Sequence, residues 1–121
     1  MRIFLVEDES LLAMVLETML EDLGHEVADS ADSLEEAVEK AKQAEFDCAL
    51  LDVNLRGAVV YPVADVLTAR GLPFVFASGY GGAGLPQQFR DKPVIAKPFQ
   101  LEDLSAALSS ALQSRSGSRA G

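Results

Sequence analysis

CALLDVN, residues 48–54, is an apolar run that ends on a single acid, Asp52, and is soon followed by Gly57. A short run of this kind, bounded by an acid and a glycine-containing loop, is typical of a central strand that is buried on both faces. The acid then lies at the carboxyl edge of a sheet, where open α/β sheets place their ligands. Asp52 is therefore the residue around which a functional site is expected.

The composition favours one globular domain in a reducing compartment. The chain has 121 residues, of which 49% are hydrophobic, and its formal net charge is -9. A negative domain repels nucleic acid and anionic membranes, so neither is an expected partner. The single cysteine, Cys48, cannot form an internal disulfide and is expected to be a buried thiol. No secretory leader and no membrane span is recognisable, which predicts a cytoplasmic protein.

Helical patterns alternate with short apolar runs along the rest of the chain. Besides the run at Asp52, the predicted strands occupy residues 3–6, 27–31, 74–77 and 94–96. Strands that alternate with helices pair in parallel through right-handed crossovers. The sequence therefore predicts an α/β fold with a doubly wound, five-stranded parallel sheet.

Two segments depart from this alternation. Residues 79–86 contain four glycines and a proline, so the fourth helix is expected to be irregular or shortened. Residues 114–121 are rich in Ser, Gly and Arg and are expected to form a disordered tail. The predicted domain therefore covers residues 1–113.

Polar residues follow four of the five predicted strands. Because parallel strands end at the same edge of a sheet, these residues are expected to converge. The three carboxylates among them repel one another, and a divalent cation removes that conflict. Mg2+ is favoured because it prefers oxygen ligands, whereas zinc usually takes cysteine or histidine. The converging residues are Glu7, Asp8, Asp52, Ser78 and Lys97.

Each acid near this edge has an expected place around the metal. Asp8 and Asp52 are the candidate direct ligands, and Glu7 is expected to act through water. The backbone carbonyl of Asn54, in the loop after the central strand, is expected to complete the set.

The same arrangement suits phosphoryl transfer. A carboxylate beside Mg2+ can attack phosphorus and hold it as an acyl phosphate, which makes Asp52 the candidate nucleophile. Lys97 would neutralise one phosphoryl oxygen and Ser78 would donate a hydrogen bond to another. No general base is needed, since a carboxylate nucleophile is already ionised.

The chain resembles the receiver domains of bacterial two-component response regulators over roughly residues 1–113. The resemblance implies a flavodoxin-like sheet with strand order 2-1-3-4-5 and a cis peptide bond before Pro98. It also implies that Asp52 accepts a phosphoryl group from a sensor histidine kinase. Such a domain is a signalling receiver that assists its own phosphorylation and dephosphorylation, and it is not an enzyme acting on a separate substrate. The motifs that carry the resemblance are Val6-Glu7-Asp8, Leu51-Asp52-Val53-Asn54, Ser78 and Lys97-Pro98-Phe99.

Residues 76–81, FASGYG, further resemble the FAT GUY group of receivers, which are commonly partnered with histidine kinases of the HWE type. Ser78 keeps the hydroxyl of the usual threonine but lacks its methyl group. Val94 stands three residues before Lys97, where most receivers carry a switching aromatic. Tyr80 is therefore the alternative switch residue, together with Ser78.

Two other functions fit the same residues less completely. An adaptor that works without phosphorylation would keep the fold but would not need every residue of the acid pocket. A small aspartyl-phosphate hydrolase would usually carry its nucleophile on the first strand and would need a substrate pocket. Since no output domain follows the receiver pattern, a phosphorylated chain is expected to act on an unknown downstream protein by contact or by phosphotransfer.

Overall fold

The computed structural model describes the backbone of residues 1–79 and 84–120 and the side chains of these residues up to Gln113. Five parallel strands form its main sheet. The strands along the chain are β1 (Arg2–Val6), β2 (Glu26–Ala31), β3 (Cys48–Asp52), β4 (Asn54–Leu55), β5 (Ala58–Val59), β6 (Phe74–Ser78) and β7 (Val94–Ala96). The sheet has the order β2-β1-β3-β6-β7. Strands β4 and β5 lie outside this sheet, so β6 and β7 are its fourth and fifth strands along the chain. The predicted doubly wound sheet and its strand order 2-1-3-4-5 are therefore confirmed.

Helices cover both faces of the sheet. They are α1 (Ser10–Asp22), α2 (Leu34–Gln43), α3 (Tyr61–Arg70) and α4 (Leu101–Ala120). Between β6 and β7, the described residues contain a single 3-10 turn, Gln87–Phe89, in place of an α-helix. The expectation of an irregular or shortened fourth helix is therefore confirmed.

The core has two layers because successive side chains of a strand point to opposite faces. Phe4 and Val6 of β1 pack on one face, and Ile3 and Leu5 pack on the other. Helices α2 and α3 cover the first face, and α1 and α4 cover the second. The buried helical residues on the two faces include Ala37, Ala41, Val63 and Leu67, and Leu16, Leu20, Leu104 and Leu108, respectively.

The central strand is the most deeply buried part of the sheet. Every residue of β3 is buried, as the apolar run at residues 48–52 predicts. The Cys48 thiol is part of this core, and its burial raises its pKa to about 12. A thiol with so high a pKa is a poor nucleophile at neutral pH, so Cys48 has a packing role.

A hairpin follows the central strand where the sequence predicted only a loop. Strands β4 and β5 pair antiparallel, with Asn54 opposite Val59 and Leu55 opposite Ala58. Arg56 and Gly57 form the turn, with φ angles of 51° and 85°. Two successive positive φ angles are the signature of a type I′ turn, which matches the twist of a two-residue hairpin.

The backbone of the final helix begins at Leu101 and continues to Ala120. The sequence predicts a disordered tail from residue 114. The side chains beyond Gln113 lie outside the described residues, so the division of the chain at residue 113 stays a prediction. None of the described helices is long and apolar enough to cross a membrane.

Candidate functional site

The carboxyl ends of the central strands converge on one cavity, as the parallel topology requires. Asp52 ends β3 and lies opposite Ala77 of β6, and Ser78 ends β6 opposite Ala96 of β7. The cavity has a volume of about 530 Å³. Its lining includes the predicted site residues Asp8, Asp52, Asn54, Ser78 and Lys97.

Three carboxyl groups form a cluster at this edge. Each of Glu7, Asp8 and Asp52 offers an oxygen, and these oxygens lie within 4.8 Å of one another. The donor set consists of oxygen atoms alone, which suits Mg2+ and does not suit zinc. The structure therefore brings the three predicted acids together at a spacing that a divalent cation could bridge.

Glu7 is the most unusual member of the cluster. It is only 3% exposed, and its Oε1 atom has no hydrogen-bond partner among the described residues. Its Oε2 atom accepts a hydrogen bond from the Glu9 N–H at 3.1 Å. Two ionised carboxylates cannot hydrogen-bond to each other, so a buried oxygen in this position requires either a proton or a nearby cation.

The electrostatics of the cluster agree with this requirement. Burial is the main cause that raises the pKa of Glu7 to about 8, and the neighbouring Asp52 and Asp8 carboxyl groups raise it further. The Glu9 N–H opposes this change but does not cancel it. In the absence of a cation, Glu7 therefore holds a proton at neutral pH.

The pKa values of the two aspartates are displaced in opposite directions. Burial raises the pKa of Asp52, although the Lys97 ammonium and the Asn54 N–H both work to lower it. For Asp8, burial also acts to raise the pKa, but hydrogen bonds outweigh it, and the pKa is lowered overall. The largest of these favourable contacts comes from the Arg56 N–H. Hydrogen bonds thus favour the ionised form of Asp8. Positive charge added near Asp52 would favour ionisation of its carboxyl group as well.

Lys97 brings a cation to the cluster from the end of β7. Its Nζ atom lies 3.9 Å from Asp52 Oδ1, and its side chain is 33% exposed. The backbone N–H of Lys97 donates to the Ser78 carbonyl at 3.4 Å, and the Lys97-Pro98 peptide bond is cis. The Lys97-Pro98 bond thus has the cis form that the resemblance implies, and Lys97 lies beside Asp52.

Asn54 and Ser78 both line the cavity. The Asn54 N–H donates to Asp52 Oδ1 at 3.3 Å, and Asn54 Oδ1 accepts from the Gly57 N–H at 2.9 Å. Ser78 is 7% exposed. Tyr80, the second predicted switch residue, lies outside the described residues, so its role stays a prediction.

Arg56 is a site residue that the sequence did not reveal. Its backbone N–H donates to Asp8 Oδ2 at 2.9 Å, and its guanidinium Nη2 lies 3.5 Å from Asp32 Oδ2. It lines the cavity that contains Asp52 and Lys97. The available signal was the Arg56-Gly57 dipeptide between apolar residues, which is a much weaker turn signal than Asn-Gly or Asp-Gly.

Curated relatives of this chain are bacterial regulators of about twice its length. The phyllosphere-induced regulator PhyR of Methylorubrum extorquens is 36% identical over an alignment of 119 positions that covers 91% of this chain and 43% of that protein. The transcriptional regulatory protein PdtaR of Mycobacterium tuberculosis is 31% identical over an alignment of 111 positions that covers 88% of this chain and 54% of that protein. The chain thus spans about half the length of these relatives.

A solved structure and a family comparison agree on what the fold is. The solution structure of SdrG from Sphingomonas melonis Fr1 has a TM-score of 0.80 and 42% identity, and the match covers 92% of this chain and 95% of that one. Similarity to SdrG and PhyR is consistent with the FAT GUY group. Residues 3–109 match the family described as the response regulator receiver domain. The chain therefore belongs to the receiver domains of the response regulators of two-component systems.

Proposed function

We propose that this receiver accepts a phosphoryl group on Asp52 in a Mg2+-dependent phosphorelay. The observation that carries the proposal is the cluster of three carboxyl groups within 4.8 Å, with Lys97 Nζ at 3.9 Å from Asp52. Clustered carboxylates repel one another, so the cluster favours a bound cation. A carboxylate beside a cation and a lysine can accept a phosphoryl group. Asp52 is the acceptor because it alone among the three acids lies beside Lys97.

Asp8 and Asp52 are the direct ligands for Mg2+ in this proposal. Glu7 acts through a water molecule, and the backbone carbonyl of Asn54 completes the protein ligands. The bound ion would supply positive charge to a phosphoryl oxygen and would make ionisation of Asp52 and Glu7 favourable. The buried Oε1 atom of Glu7, which has no hydrogen-bond partner among the residues that the structure describes, supports a cation at this place.

The chain's own residues have separate roles in the transfer. An oxygen of the Asp52 carboxylate forms the new bond to phosphorus as the donor's bond to phosphorus breaks, and the leaving group takes the electron pair. The Lys97 ammonium neutralises one phosphoryl oxygen, and the Ser78 hydroxyl donates to another. In dephosphorylation, water would attack phosphorus, the P–O bond to Asp52 would break with its electron pair returning to the carboxylate, and inorganic phosphate would leave. The same residues would therefore assist both phosphorylation and dephosphorylation.

The proposed donor is the phosphohistidine of a sensor histidine kinase, and the HWE type is the kinase class that the FAT GUY resemblance favours. A donor histidine must enter the cavity from outside, so the donor protein has to contact the cavity rim. Helix α1 begins close to this rim, two residues after Asp8, and Leu11, Met14 and Val15 on it are 72%, 65% and 43% exposed. Exposed apolar side chains beside a reactive group are typical of a protein docking surface.

The proposed output is contact with a downstream protein, or phosphotransfer to one, in the cytoplasm. The net charge of -9 supports protein partners and opposes nucleic acid. A phosphorylation-independent adaptor would not need the carboxyl cluster, and a hydrolase would need a site shaped for its substrate. The intact cluster beside Lys97 therefore favours a phosphorylated receiver over both alternatives.

Phosphorylation by a small donor tests this function. Incubation with acetyl phosphate and MgCl2 is expected to produce a slower band in phosphate-affinity electrophoresis. Omission of MgCl2 or addition of a chelator is expected to remove that band, because the acid cluster then lacks its cation. A chain that gives no slower band with MgCl2, or the same band with and without it, would contradict the proposal.

A conformational response at Ser78 is the proposed means of signalling. Ser78 would move toward the phosphoryl group, and the segment from 79 to 90 would reorder, with Tyr80 changing its packing. The described part of that segment is fixed to the core by Leu85 and Phe89, which are each 3% exposed. We therefore expect the change in amide exchange to be largest before residue 85 and small from there to Arg90.

Amide exchange with and without beryllofluoride, a phosphoryl mimic, measures this response. The expected result is altered exchange in peptides that follow Ser78, together with little change in α2. Equal exchange after Ser78 in the two states would reject the switch, although it would leave the phosphoacceptor role of Asp52 intact.

A further inference from the structure

Arg56 occupies a fixed position beside the carboxyl cluster. It lies at the turn between β4 and β5, with a φ of 51°, a left-handed conformation that is unfavourable for a non-glycine residue. The hydrogen bond from its N–H to Asp8 Oδ2 at 2.9 Å holds it there. The backbone of Arg56 is therefore hydrogen-bonded to Asp8, a proposed metal ligand, and Arg56 lines the cavity.

The side chain of Arg56 is weakly held. Its guanidinium lies 3.5 Å from the Asp32 carboxylate, and the two side chains are 63% and 64% exposed. Ion pairs between exposed groups contribute little, since water and salt screen them and the long side chain loses freedom. Arg56 can therefore leave Asp32 at small cost when a stronger anion is present.

The charge around the cavity makes a second cation useful. Asp8, Glu9 and Asp52 line it, and the whole chain carries a net charge of -9. An anionic phosphodonor is repelled by such a surface. Among the described lining residues, Lys97 and Arg56 are the basic ones. The Lys97 ammonium is paired with Asp52, whereas the Arg56 guanidinium has no such contact with the acceptor.

We propose that Arg56 leaves Asp32 and binds the phosphoryl group of an incoming anionic donor. The planar guanidinium can donate two parallel hydrogen bonds to phosphoryl oxygens, which a lysine cannot do. With acetyl phosphate, Asp52 forms the new P–O bond, the donor's P–O bond breaks and acetate leaves with the electron pair. Arg56 gives and takes no proton, and it forms only hydrogen bonds. This inference rests on the proposed phosphoacceptor function of Asp52.

The rate of phosphorylation by acetyl phosphate, measured with saturating MgCl2 at low and high KCl, tests the role of Arg56. Arg56→Gln is expected to lower the second-order rate constant about fivefold at low salt, and the loss should shrink as salt screens the charge. The rate constant of Arg56→Lys should lie between those of the wild type and Arg56→Gln, because lysine keeps the charge but cannot donate two parallel hydrogen bonds. Calorimetric titration with MgCl2 should give similar affinities for the wild type and Arg56→Gln, since the Asp8 contact comes from the backbone.

Two further variants separate charge from structure. Arg2→Gln is the matched control, because Arg2 pairs with the exposed Glu26 at 3.7 Å at the other end of β1 and should react like the wild type. Asp32→Asn breaks the ion pair but leaves Arg56 charged, so it should react as fast as the wild type or faster.

The failures of this inference and of the proposed function are distinct. Equal rates for the wild type and Arg56→Gln would reject the role of Arg56 alone. Equal slowing by Asp32→Asn and Arg56→Gln would also reject it, because the ion pair would then act by holding the hairpin. A wild-type chain that is never phosphorylated would instead reject the acceptor function and, with it, this inference.

Discussion

Asp52→Asn is expected to abolish phosphorylation, with a loss of at least about hundredfold in the rate of phosphoryl incorporation. The amide is neutral and is a far weaker nucleophile than the carboxylate, while its size and shape are nearly the same. Phosphate-affinity electrophoresis after incubation with acetyl phosphate and MgCl2 measures the effect. The wild type should give a slower band, and Asp52→Asn should give none.

The fold should survive this change. The pKa of Asp52 is raised mainly by its burial, so the ionised carboxylate is a cost to the folded state rather than a support. The thermal midpoint of Asp52→Asn without MgCl2 is therefore expected to equal or exceed that of the wild type. Asp22→Asn, at the exposed end of α1, is the matched control and should be phosphorylated normally. An undiminished band from folded Asp52→Asn would place the acceptor elsewhere.

Glu7→Gln is expected to remove a strong pH dependence of Mg2+ binding. Burial raises the pKa of Glu7 from 4.5 to about 8, so between these values the folded chain holds a proton that the unfolded chain has lost. Its contribution to stability is complete at acid pH and is lost as the pH rises toward 8. Mg2+ competes with the same proton, so the wild type should bind Mg2+ about fiftyfold more tightly at pH 8 than at about pH 6.

Calorimetric titration with MgCl2 at the two pH values measures this linkage. Glu7→Gln has no proton to lose there, so its affinity should vary far less with pH, and without metal it should be more stable than the wild type at pH 8. Glu17→Gln, on the exposed face of α1, is the matched control and should behave like the wild type. A wild-type affinity that is independent of pH would show that Glu7 does not hold the predicted proton.

The sequence predicts the main sheet and most of the acid site for one physical reason. Parallel strands end at one edge, so Asp8, Asp52, Ser78 and Lys97 had to come together once their strands were recognised. The apolar runs were recognisable because buried central strands tolerate few polar residues.

The parts that the sequence did not predict depend on subtler causes. The β4–β5 hairpin has two residues in each strand, too few for a hydrophobic period, and an arginine stands where its turn would favour asparagine. The Arg56 contact with Asp8 depends on that hairpin and was missed with it. The protonation of Glu7 depends on how deeply its carboxyl group is buried, which a residue's position at a strand end does not reveal.

The most direct test of the central claim is to locate the phosphoryl group itself. The chain is treated with acetyl phosphate and MgCl2, the acyl phosphate is reduced with borohydride, and the reduced residue is identified by peptide mass spectrometry. Phosphorylation on Asp52 predicts that the reduced residue lies at position 52 and that it is absent when MgCl2 is omitted. Reduction at Glu7 or Asp8, or at no position in the folded chain, would contradict the account.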